Sequence, residues 1–128
     1  MNIDIGVIME LGRQKIWVKD INLMIKDYEA KLMAKILDQT ETSVLLAIDD
    51  ELLEFIIKPV QSKSIVSIQF STESAFRQVC SRLTLDMKIV QELNHNLFQA
   101  GYTDAEGNLV KLYFHQVYIP VSLDAELQ

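Results

Sequence analysis

Cysteine, proline and glycine are scarce in this chain: one, two and four residues respectively out of 128. A single thiol, Cys80, cannot form a disulfide within the chain, which suits a reducing compartment and sets the cytoplasm as the expected location. So little glycine and proline, beside 49% apolar and 23% charged residues, excludes collagen-like repeats, a disulfide scaffold and extended disorder. Long apolar runs are missing too. The longest covers residues 44–48, whereas crossing a bilayer takes about 20 such residues, so no membrane association is expected. The opening Met1-Asn2-Ile3-Asp4 has neither a basic region nor an apolar core and does not read as a secretory signal.

Runs of basic residues are also lacking, and the net charge is −6. Affinity for a phosphate backbone comes chiefly from Lys and Arg, so nucleic acid is not an expected partner. The acids are clustered. Residues 36–57 hold Asp38, Glu41, Asp49, Asp50, Glu51 and Glu54 without a single base, and from residue 89 onward Lys111 alone opposes five acids. Such a block either keeps the protein soluble or steers a basic protein partner toward it.

The usual signatures of chemistry are absent. Gly6, Gly12, Gly101 and Gly107 are too scattered to cradle a phosphate, and no nucleophile elbow occurs. His95, His115 and Cys80 lack metal-ligand spacing, so neither metal nor cofactor is expected. Asp104, Glu106 and Asn108 imitate part of a calcium loop without its closing Glu, and read as a turn. Cys80 shares a helical stripe with Phe76 and Leu83, the setting of a small core residue. The acids at 49–54 fall at a hairpin turn, where water on all sides denies them the burial that general acid–base work requires.

What is present is enough for one α+β domain spanning 1–128. Alternation suggests strands over 3–9 and 15–18, separated by a turn at Gly12-Arg13. Residues 21–37 read two ways. Their composition favours a helix capped by Asp20, while their apolar period slightly favours a strand pair. Short β-prone runs at 43–48, 52–58 and 64–70, broken at 49–51 and 59–63, predict an antiparallel β-meander. Ser71-Thr72 offers an N-cap for a helical segment over about 73–100, with Gly101 as its left-handed stop. After a turn at 104–108, a strand runs from Leu109 to Ile119 and ends at Pro120. The expected architecture is a meander sheet with the 73–100 helix packed on one face.

Three functions fit this reading. The first is a non-catalytic acidic module, in concrete form an inhibitor or toxin-neutralising immunity-type protein, that covers a basic surface of a protein partner with Asp49, Asp50, Glu51 and Glu54. The second is a small-ligand-binding domain or small enzyme with a pocket between the sheet and the 73–100 helix. Its polar groups would be His95, Tyr113, His115 and Tyr118, reaching an otherwise apolar cavity. On the last strand Tyr113 and His115 share one face while Phe114 and Tyr118 share the other, so both faces carry aromatic groups. The third is a homodimer or larger assembly that hides the uncovered face of the sheet.

Overall fold

The computed structural model describes residues 13–59 and 63–117. The expected strand at 3–9, Pro120 and Tyr118 lie outside them. Chain order is Arg13–Val18 (β1), Ile21–Leu32 (α1), Lys35–Gln39 (β2), Ser43–Ile48 (β3) and Glu51–Ile57 (β4). A second group follows: Ile65–Gln69 (β5), Glu73–Arg82 (α2), Lys88–Gln91 (β6), His95–Thr103 (β7) and Leu109–Val117 (β8). The α+β class holds. The strands form two mixed four-stranded sheets, ordered β1-β4-β3-β2 and β5-β8-β7-β6. Each half thus repeats one plan of strand, helix and three strands, although no repeat is visible in the sequence.

Residues 21–37 divide between the two readings. Asp20 caps α1 by accepting from the Leu23 amide at 3.1 Å, and Ile21, Met24, Ile25, Tyr28 and Leu32 form its buried face. Met33 then adopts the left-handed conformation (φ 57°) and its N–H closes onto the Glu29 carbonyl at 3.1 Å. Good helix formers therefore prevail for three turns, after which the chain enters β2, an exposed strand at the edge of its sheet.

Two expectations are corrected. The meander is limited to β2, β3 and β4. The third β-prone run leaves that sheet and pairs in parallel with β8 as β5, and β1 likewise pairs in parallel with β4. The helix expected over 73–100 ends at Arg82. Thr72 caps its start, accepting from the Ala75 amide at 3.1 Å, but Leu83 leaves helical geometry and Thr84 is left-handed (φ 54°). Residues 88–91 and 95–103 are strands, and Gly101 sits within β7 rather than at a helix stop. The apolar positions there satisfy both periods. Pairing of β7 along all nine residues of β8 decides between them.

The core lies between each sheet and its helix and is continuous through the molecule. Tyr28 packs edge-on against Phe55 with centroids 4.9 Å apart, and Phe76 does the same with Phe70 and Phe98 at 6.1 Å. Cys80 belongs to this core, and burial pushes its thiol above the ordinary value despite the opposing charge of Arg77.

The β7–β8 turn ties the halves together. Buried Asp104 accepts from the Tyr28 hydroxyl at 2.6 Å, and its other oxygen accepts from the Glu106 and Asn108 amides at 2.9 Å each. Glu106 accepts from the Lys19 and Asp20 amides at the start of α1, and Asp27 from the Ala105 amide. Gly107 makes the reversal with φ 85°.

Burial, the hydrogen bond to Asp104 and neighbouring negative charge raise the Tyr28 phenol far above its ordinary value. Burial, Asp27 and Asp104 raise Tyr102 as well. A phenol whose folded pKa exceeds its unfolded value stabilises fully below the unfolded value and loses that contribution as pH rises. Stability is therefore expected to fall above about pH 10 by about 1.4 kcal/mol per pH unit from Tyr28, with Tyr102 adding to it. Urea unfolding between pH 8 and 11 checks this. Tyr28→Phe should flatten the decline, and an unchanged slope in that variant would refute the assignment.

Candidate ligand-binding cleft

Strand register decides which side chains share a face. On the second sheet, Val66, Ile68, Val110, Leu112 and Phe98 are buried in the core with Phe76, Val79 and Cys80 of α2. The alternate positions face away from that helix: Ser67 and Gln69 on β5, Lys111, Tyr113 and His115 on β8, and Leu97 and Gln99 on β7. The pocket expected between sheet and helix is thus filled by core, and the open face is the opposite one. The reason is the period of two in a strand, which separates Tyr113 and His115 from Phe114.

A cleft of about 310 Å³ lies on this open face, lined by Gln14, Glu51, Ser67, Gln69, Leu97, Tyr113 and His115. It spans the seam between the two sheets. Gln14 on β1 bridges that seam, its amide nitrogen donating to the Ser67 carbonyl and its oxygen accepting from the Ser67 amide at 3.0 Å. A glutamine reads the backbone of β5 as a neighbouring strand would, so the seam is held without strand pairing. Glu51 adds a long contact, accepting from the Gln69 amide at 3.4 Å.

Of the histidines and tyrosines named from the sequence, Tyr113 and His115 line the cleft. His95 stands beside it, its ring 5.3 Å from that of His115 and its Nε2 3.3 Å from a Glu92 carboxylate oxygen. The Nδ1 of His115 is buried and has no hydrogen-bond partner among the described residues. Tyr118 falls outside the described residues.

Three of the four acids named from the sequence make contacts within the molecule. Asp49, left-handed at φ 52° in the β3–β4 turn, accepts from the Ser71 amide at 2.6 Å. Glu51 turns to β5, and Glu54 pairs with Arg13 at 3.4 Å, both half-buried. Asp50 is exposed at the turn. Sequence reasoning singled out Glu51 for a different role and missed Gln14 and Leu97 altogether. The polar alternation of Ser67 and Gln69 was the visible signal for a wet sheet face, but nothing local marks Gln14 as a bridge.

Among the described residues, no group of three or more His, Cys, Asp or Glu is placed to hold a metal ion. No helix among them is long and apolar enough to cross a membrane.

No protein-family model matches the chain, and no curated protein matches it significantly. Solved structures do share its fold. One is a glyoxalase/bleomycin resistance protein/dioxygenase from Alicyclobacillus acidocaldarius, 14% identical with a TM-score of 0.63, covering 80% of this chain and 89% of the other. A lactoylglutathione lyase from Agrobacterium tumefaciens is 9% identical, with a TM-score of 0.60 over 80% of this chain and 90% of its own. A bleomycin resistance determinant encoded on the transposon Tn5 is 18% identical, with a TM-score of 0.58 over 84% and 97% respectively. At such identities the likeness is one of fold.

Proposed function

We propose that this protein binds a small organic molecule in the cleft at the seam of its two sheets. The observation that carries the reading is the cleft itself: an aromatic ring, an aliphatic side chain and several hydrogen-bonding groups converge on about 310 Å³ of space. Pockets that mix apolar walls with a few fixed polar groups are the usual sites for such ligands. Tyr113 and Leu97 supply the apolar walls. Gln69, Ser67 and the His115 ring supply the polar part of the lining. The fold supports the reading by analogy, since structures that share it carry names referring to lactoylglutathione and bleomycin.

The protein-docking reading has weaker support. Asp49, Glu51 and Glu54 are engaged within the molecule, which leaves Asp50 as the member of the block at the turn without such a contact among the described residues. A basic partner would have to break internal bonds to use the other three. A cytoplasmic setting remains part of our proposal, because the one thiol is buried and needs no oxidising compartment.

The test is a thermal-shift screen of small aromatic acids, amides and alcohols against the wild type and Leu97→Trp, whose indole would fill the cleft. At a ligand concentration of about 100 Kd, stabilisation of about 2.7 kcal/mol raises Tm on the order of 5–10 °C. We expect that shift in the wild type and its loss in Leu97→Trp. Compounds that stabilise both proteins equally would place binding elsewhere and overturn the reading.

A further inference from the structure

A second hollow, about 270 Å³, adjoins the first on the same sheet face and shares Tyr113 as a wall. Its lining includes Lys88, Lys111, Gln99, Gly101 and Asp86, with Lys88 and Asp86 both exposed. Register places the two lysines on either side of β7: Lys88 is opposite Gln99, and Lys111 is opposite Gly101. With strands about 4.8 Å apart and two-residue steps of about 6.8 Å, their Cα atoms stand about 12 Å apart. Each side chain reaches about half that distance, so the two ammonium groups can converge above Gly101, where no side chain intervenes.

Neither lysine has a carboxylate partner among the described ion pairs, which occupy other bases. Lys111 is half-buried, and it is the only lysine or arginine in residues 89–128. A half-buried ammonium without a counter-ion loses hydration and gains nothing from the fold in return. The lining remains positive by one charge after Asp86 is counted, within a chain whose net charge is −6.

We infer that the ligand of the seam cleft is an organic anion. Its anionic group, a carboxylate, phosphate or sulfonate, lies between Lys88 and Lys111, its apolar or aromatic body crosses Tyr113, and its far end reaches Gln69 and His115. The inference rests on the ligand-binding reading above and adds the chemical class of the ligand.

Two fluorescent probes separate the two ideas: anilinonaphthalene sulfonate, and the sulfonate-free phenylnaphthylamine of similar shape. Both are titrated into the wild type and into Lys88→Gln/Lys111→Gln, with circular dichroism and Tm confirming that each protein is folded. The sulfonate dye is expected to saturate on the wild type and to bind the double variant about tenfold more weakly, since charge-assisted contacts exceed neutral ones. The neutral dye should bind both proteins alike. Raising salt on the wild type should weaken the sulfonate dye alone, a readout that needs no variant. If both dyes bind but neither substitution nor salt touches the sulfonate dye, the anion inference falls and the cleft stands. Equal weakening of both dyes in the variant would assign the lysines a structural role and also overturn the inference. Saturation by neither dye would overturn the cleft reading together with it.

Discussion

Asp104→Ala is expected to destabilise the protein by about 3–5 kcal/mol, because it strips a buried network of its acceptor. Asp104 is 5% exposed and Tyr28 is fully buried, so the phenol left behind has no water to turn to. The Glu106 and Asn108 amides and the Asn108 side-chain amide lose the same partner. A domain of this kind has about 5–15 kcal/mol of stability in total, so the loss takes a large share of it. Tyr28→Phe removes one donor and leaves the carboxylate its other three, the Glu106 and Asn108 amides and the Asn108 side-chain amide. It should cost about 1–2 kcal/mol. Urea unfolding of the two single variants and the double variant measures the coupling, which should be clearly non-additive because they share one hydrogen bond. An Asp104→Ala cost below about 1 kcal/mol would show that the turn is not the staple between the halves.

Phe76→Ala is the second large effect, at about 3–5 kcal/mol. The ring is fully buried and stands edge-on to Phe70 and Phe98, and Phe98 in turn to Phe114 at 5.7 Å. Its removal leaves a cavity between α2 and the sheet whose far face carries the cleft. Tm should fall on the order of 10–15 °C. The cleft lies across the sheet from the cavity, so dye binding at low temperature should survive while the Tm drops. A drop below about 3 °C would mean that the surrounding side chains collapse into the space and that the ring packing is not cooperative.

Where local signals were strong, they were legible. Asp20 and Thr72 are the helix caps, residues 43–48 form a strand that pairs with its neighbour across a two-residue turn, and residues 104–108 make the reversal before β8. Period alone misled at 88–103. Met87, Val90, Leu93 and Leu97 fit a helical stripe, yet Leu93 is 92% exposed and Leu97 faces the cleft. Sparse apolar positions match both periods, and the backbone bonds offered by β8 are what separate them. The site was half legible. Tyr113 and His115 could be placed on one face by parity, but which face was open depended on where α2 lay. Gln14 lies 53 residues from Ser67, beyond the reach of any local pattern.

Composition, charge and local pattern by themselves determined an α+β chain with no disulfide, a capped helix beginning at residue 73, and a last strand with aromatic groups on both faces. Those properties follow from nearest-neighbour sterics, capping and side-chain alternation, which act within a few residues. Only the tertiary structure decided that the strands divide into two matching sheets, that Asp104 and Tyr28 join them, and that the polar face of the second sheet opens into a cleft. Each depends on groups distant in the chain meeting in space, as Tyr28 and Asp104 do across 76 residues. Such meetings are settled by the total burial and hydrogen bonding of competing arrangements, a sum that no short segment carries.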